Sequence, residues 1–556
     1  MNGHRPSLLK KTSAVAVIAD VFRFWRAGRR QPPNRSTRRY VRGLTPPGSP
    51  KLSPKTAGDL FKRTISAACL LTLLFTTGCT SYADRLRTVR QDFYSGNLAA
   101  ADQFVKKELP KRGRSKAADV LKLERAMVEL SSGRPAEAER TLREVRDRFD
   151  YLEQKDLAEG AASYLTDDTH RAYAGEDYER VLIRAFLALS NLMHDGSDAG
   201  AYSLQVNSKQ EQIIEAGAKE GAENPKLAYK RVALGAYVSG MLREASMRDY
   251  DDAKRSIQLV ANWEPEFKSA KQDLERVTNG RHSAPGNGVA YVFTLVGRGP
   301  YKEERNEEPT QVAMLIADQI LSAVAKHSVT PTLAPVKVPV VVVPHNDVQS
   351  VRVNVDGKDS GLTETITDVG QLASQQFDAI FPHVMARTIV RRCVKKGSLY
   401  AAKEATHVEN PLAELAFDAV GVAWEATENA DTRCWGLLPN KIQVRRIELL
   451  AGKHHLALQP ATESGQPLGN AEQTDFEVFD GRNTYVLANF PGRSLVGQIL
   501  VNRDARGDLT SGPPKRPESP QLPKHGEGIC WPPKEPLPPT APEPLPPNDE
   551  PRKLAD

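Results

Sequence analysis

A glycine with an alanine five residues later recurs through the first half of the chain: Gly96 and Ala101, Gly133 and Ala138, Gly196 and Ala201. Arg248 and Ala253 repeat the frame with arginine in the glycine place. Bulky apolar residues stand four positions after the alanine at Val105, Leu142 and Ile257, and Gln205 breaks the series. The segments around these pairs, from about Ala83 to Val277, have helical periodicity. A glycine in a tight helix-to-helix turn supplies a positive φ at little cost. A small residue then lets the two helices cross closely, and the bulky one fills the gap to the next pair. Each pair leaves an apolar face uncovered, so the pairs must stack.

The pattern resembles the tetratricopeptide repeat, a helix-turn-helix unit of about 34 residues. The resemblance implies a curved array whose concave surface accepts a protein or peptide segment. An irregular helical bundle is the alternative.

Upstream, Lys62 and Arg63 precede an apolar run from Ile65 to Phe75, and Thr76, Thr77 and Gly78 lead to Cys79. The run is too short to span a bilayer, which takes about 20 apolar residues, and has the order of a secretory signal. Its end resembles a bacterial lipobox, which implies lipid on the Cys79 thiol; an ordinary signal peptide or a buried helix is the competing reading. Residues 64–78 are thus the signal, and residues 1–63 a basic extension, either a long leader or upstream sequence read from too early a start. That extension carries fifteen Lys and Arg against Asp20 and Asp59, a net +13 within a chain of +7, which leaves −6 from Cys79 onward. The mature part is mildly acidic, so nucleic acid is not an expected partner. Thr80 rather than aspartate follows the cysteine. By analogy with lipoprotein sorting, this points to the outer membrane, facing the periplasm.

Beyond Cys69 and Cys79 there are only Cys393, Cys434 and Cys530, without metal-binding spacing. Cys393 and Cys434 either pair as a disulfide or stay as separate buried thiols.

The helical part is expected over 79–278 and a linker over 279–287, where Gly280, Pro285 and Gly286 cluster. Residues 288–505 read as an α+β domain with a largely antiparallel sheet. Val289–Val296 forms an apolar strand, Thr310–His327 a helix, and Val336–Val343 an edge strand because of Pro339. Asp356-Gly357 marks a hairpin, and Asp368–Lys395 a helix that Pro382 should break or kink. Further strands are expected at 417–424, 443–450, 454–459, 476–479, 485–490 and 496–501. Fifteen of the 39 prolines fall between Pro513 and Pro551, so 506–556 reads as a disordered, proline-rich tail.

Two separated stretches carry a second resemblance. Tyr178, Glu179, Val181 and Leu182 precede Ala188, Leu189 and Leu192; later come Asp431, Arg433, Cys434, Trp435 and Pro439, then Ile442, Val444 and Gly452. In this order they resemble a family of bacterial lipoproteins of uncharacterised function, with tetratricopeptide-like helices followed by a β-containing region. The resemblance implies an envelope lipoprotein in the neighbourhood of cell-wall assembly, with no established reaction. Phosphate-binding, nucleophile-elbow and zinc-protease motifs are missing. Asp167, Asp168 and His170 are the nearest approach to a metal cluster, and a solvated loop explains them better, so no metal or cofactor is expected.

The chain is therefore expected to be a non-catalytic scaffold or adaptor, tethered through Cys79 and meeting envelope proteins or peptide segments on its repeats. An envelope hydrolase acting on wall polymer through the α+β domain, or a polymer-binding structural protein, are the alternatives.

Overall fold

In the computed structural model the described residues are 82–112, 118–159, 172–218, 224–324, 335–405 and 429–502. The lipobox, the basic extension, the 167–170 acidic loop, the strand expected at 417–424, Cys530 and the proline-rich tail lie outside them.

Among the described residues nine α-helices build the first part: α1 (Tyr82–Tyr94), α2 (Leu98–Arg112), α3 (Ala118–Ser131), α4 (Pro135–Glu159), α5 (Asp177–Leu192), α6 (Ala199–Glu215), α7 (Ala233–Ala245), α8 (Tyr250–Trp263) and α9 (Ser269–Thr278). Each packs on the next in chain order. Gly133 sits at φ 77° between α3 and α4, where its N–H donates to the Leu130 carbonyl and the Arg134 N–H donates to that of Glu129. This pair of bonds closes the helix in a left-handed cap that glycine favours. Gly96 closes α1 in the same way, and Ala101 and Ala138 are buried where the helices cross, with Val105 and Leu142 one turn further.

The later units keep the design but shift the frame by one residue. After Gly196 the first intrahelical bond of this type runs from Tyr202 N–H to Asp198, and the buried positions are Tyr202 and Val206. Ala201 is exposed. A longer turn thus accounts for the break at Gln205. In the fourth unit the left-handed residue is Met247, at φ 56°, rather than Arg248, and Ala253 and Ile257 are buried as expected.

The second part holds eleven strands and two helices among the described residues. They are β1 (Asn287–Arg298), β2 (Tyr301–Glu307), α10 (Gln311–Val324), β3 (Val336–Val342), β4 (Ser350–Val355), β5 (Lys358–Leu362), β6 (Glu364–Asp368), α11 (Val369–Ala405), β7 (Pro439–Leu450), β8 (Gly452–Ala461), β9 (Glu472–Val478), β10 (Asn483–Phe490) and β11 (Leu500–Val501). A five-stranded sheet has the order β11-β10-β1-β7-β6, antiparallel except for the parallel β1–β10 pair. A four-stranded antiparallel sheet, β5-β4-β8-β9, packs on it, and β2 and β3 form a separate ribbon.

Strand β1 explains how the two parts join. Its side chains alternate between two cores. Ala290, Val292 and Val296 meet β4, β8 and β9 residues such as Val353, Leu458 and Phe476 in the sandwich interior. Val289, Tyr291, Phe293 and Leu295 belong instead to the core that runs through the helices. Burial on both faces accounts for the uninterrupted apolar run. Tyr291 reaches Tyr237 of α7 with ring centroids 6.2 Å apart.

Helix α11 continues through Pro382. Leu372 and Ala373 before the proline sit in the helical core, and Met385, Ala386, Ile389 and Val390 after it pack on α10 and β3. Burial at both ends holds the helix across a residue that forfeits one backbone bond. Cys393 is buried in this last cluster and Cys434 lies buried on the loop before β7; neither is in a disulfide, so they are the separate buried thiols of the second alternative. Strand β2 is mostly charged and exposed, and no periodicity announces it; its ladder with the valines of β3 makes it a strand.

Candidate functional site

Helices α1, α3 and α5 share one interior feature: charged side chains on faces otherwise apolar. Glu124 stands among Val120, Leu121, Leu123 and Met127 on α3, and Glu179 leads Leu182 and Ile183 on α5; both carboxylates are wholly buried. What reaches them is the segment 430–438, which runs ahead of β7 without regular structure. We refer to it as the strap.

Glu124 accepts the Gly436 N–H at 3.1 Å and the Leu437 N–H at 2.9 Å. It also takes two bonds from Arg90 of α1, at 3.0 Å from Nε and 2.9 Å from Nη2. Arg90 Nη2 donates onward to the Cys434 carbonyl at 3.1 Å. A Cβ on Gly436 would lie 2.0 Å from the Arg90 guanidinium carbon, so this close approach requires glycine. Burial opposes both charges, yet the guanidinium is held firmly protonated by the adjacent carboxylate; the pair is ionic.

Glu179 accepts the Trp435 N–H at 2.7 Å and the Tyr173 hydroxyl at 2.6 Å. Its carboxylate also accepts the Glu176 N–H at 3.2 Å, which caps α5. The Tyr178 hydroxyl is 3.4 Å away. Burial and the neighbouring Glu176 push the Glu179 carboxyl up to about 7. Around it, Arg433 pairs with Asp431 at 2.7 Å and lies over the Tyr173 ring. Lys302 of β2 pairs with Glu176. Burial works against the Asp431 carboxylate, but Arg433 holds it below the usual range, while burial pushes the Cys434 thiol up. Trp435 is fully buried, with its ring 5.3 Å from that of Phe186. The Tyr94 hydroxyl donates to the Gly436 carbonyl at 2.8 Å.

Tyr178, Glu179, Asp431, Arg433 and Trp435 therefore meet in one place. Pro439 begins β7 opposite Arg298, beyond the strap. Arg90, Glu124, Tyr173 and Lys302 complete the cluster and were missed by the motif reading. An isolated glutamate on the apolar face of a helix was the available signal for Glu124.

No family model, curated protein or solved structure matches the chain.

The cluster is built for holding backbone. Its carboxylates are occupied by main-chain N–H groups and by cations at hydrogen-bonding distance, which fixes the strap against α1, α3 and α5. Next to it, the first turn of α5, Tyr229, Val341 and the Ala373–Ile380 face of α11 enclose a cavity of about 120 Å³. Among the described residues no group of three His, Cys, Asp or Glu side chains is arranged to hold a metal.

Proposed function

We propose that the protein is a lipid-anchored scaffold of the cell envelope, held through Cys79 and presenting one rigid body to envelope partners. The observation that carries this reading is the strap. It spends the buried polar groups of α1, α3 and α5 on joining the helices to the α+β part, so the two behave as a single platform. The signal-like stretch ending in Cys79 supports the tether, and Thr80 supports the outer membrane.

The helices are read as tetratricopeptide-like. Left-handed turn residues at Gly96, Gly133, Gly196 and Met247, each followed by a buried crossing position, support that class. Because the strap lies against α1, α3 and α5, partner proteins are assigned to the alternate helices. Tyr151 of α4, Leu204 of α6 and Leu259 of α8 are exposed apolar side chains, one on each.

Two experiments test the proposal. Cys79→Ser should abolish lipid labelling and release the protein from membranes; retention on membranes by a wild-type chain that takes up no lipid would refute the tether. Mild crosslinking followed by co-purification should recover envelope proteins from wild type and fewer from a Leu204→Asp, Leu259→Asp chain. Degradation of wall polymer by the purified protein, with no protein partner recovered, would instead favour a hydrolase.

A further inference from the structure

The joint between helices and strap has an odd charge count. Four acids meet there, Glu124, Glu176, Glu179 and Asp431, against three cations, Arg90, Lys302 and Arg433. Each cation is matched to one acid: Arg90 to Glu124 at 2.9 Å, Arg433 to Asp431 at 2.7 Å, and Lys302 to Glu176. Glu179 has no cation bonded to it; the Lys302 ammonium, bonded to Glu176, attracts it without bonding it. Among the described residues the groups bonded to it are neutral, namely the Trp435 and Glu176 N–H groups and the Tyr173 and Tyr178 hydroxyls. Among the remaining neighbours, Arg298 lies over the Tyr94 ring, at the Glu124 end of the joint. Arg180 of α5 faces Asp177 and Glu153, and Cys434 presents a thiol whose ionisation burial disfavours.

A buried carboxylate with no cation bonded to it gains from neutralisation. The geometry also provides for the proton. Tyr173 Oη stands 2.6 Å from Glu179 Oε2. A hydroxyl donates or accepts, so it can turn to receive an O–H from a protonated Oε2 while Oε1 keeps the Trp435 N–H.

We propose that Glu179 is the proton-binding site of a pH-sensitive latch: the neutral carboxyl keeps the strap closed on the array, and the carboxylate loosens it. The proton comes from solvent when the strap closes and returns there when it opens. With burial and Glu176 raising the closed-state carboxyl, opening is rarest below the ordinary glutamate range. It grows as pH rises through the closed-state value and then levels off. The strap is thus coupled to the acidity of the compartment.

Hydrogen exchange of the mature protein at pH 5, 6, 7 and 8, corrected for the intrinsic rate, reads strap opening at the Trp435, Gly436 and Leu437 amides. The expected result is a fall in protection of about tenfold or more from pH 5 to 8, and a flat profile in Glu179→Gln. Constant protection in wild type overturns the proposal, and so does a wild-type pH dependence retained in Glu179→Gln. Should that variant fail to fold, Tyr173→Phe serves in its place. It removes the hydroxyl that donates to the Glu179 carboxylate and so must move the midpoint of the exchange curve to higher pH; an unmoved midpoint overturns the assignment.

Discussion

Replacing Glu124 by alanine probes the strap most directly. The substitution removes the acceptor for two main-chain N–H groups and the counter-ion of Arg90, whose side chain is 20% exposed. Breaking a buried ion pair costs about 3–5 kcal/mol, and the partial exposure of Arg90 argues for the lower end. Each main-chain N–H left without an acceptor adds about 1–3 kcal/mol unless water enters the space of the lost carboxylate. The sum, about 5–9 kcal/mol, is comparable with the whole stability of many domains, roughly 5–15 kcal/mol. Urea unfolding of the protein would show the midpoint falling steeply. Native-state trypsin should gain a cleavage site after Arg433, which is buried while the strap is closed. A cycle with Arg90→Met separates the parts: removing both partners should cost less than the sum of the single changes. If Glu124→Ala lowers stability by less than about 1 kcal/mol and leaves Arg433 protected, the strap is not held by this carboxylate and the account of the joint fails.

Two further changes test the backbone readings. Met247→Gly removes a side chain from a left-handed position at φ 56°, and should stabilise by about 1 kcal/mol, seen as a small rise in melting temperature; a loss would mean that Met247 packing outweighs its strain. Pro382→Ala restores a backbone donor within α11, and should stabilise by as much as about 3 kcal/mol, read from the urea midpoint; no gain would show that the helix is already relaxed around the proline.

Much of the architecture was legible because local chemistry and tertiary burial agreed. Gly96 and Gly133 mark turns that need a positive φ, and Ala101 and Ala138 sit where the helices touch. The frame slipped by one at Ala201 because the turn after Gly196 is longer, and periodicity does not report turn length. Strand β1 was visible as an apolar run, but its division between two cores depends on which elements flank it. Strand β2 gave no signal, since a charged, exposed ribbon lacks alternation. The strap was half legible: Trp435 and Glu179 stood out singly, while their contact spans 256 residues of chain. Arg90 and Glu124 acquire meaning only once α1, α3 and the strap are side by side.

The register of β1 has a consequence for how the chain reaches this state. Val289 pairs with Glu448 on one side and with Asn483 on the other, so the central strand stays incomplete until nearly all of the described chain has emerged. Helices α1 to α9 make mostly neighbouring contacts and can assemble early, whereas sheets built from distant segments form slowly. In the interval Glu124, Glu179 and Arg90 line an unfilled surface, beside apolar positions that the strap and β1 will later cover. A chain of this design therefore passes through a stage with its helices packed and its interior still open. That stage is where mutations in strands β7 and β10 would divert the chain toward aggregation.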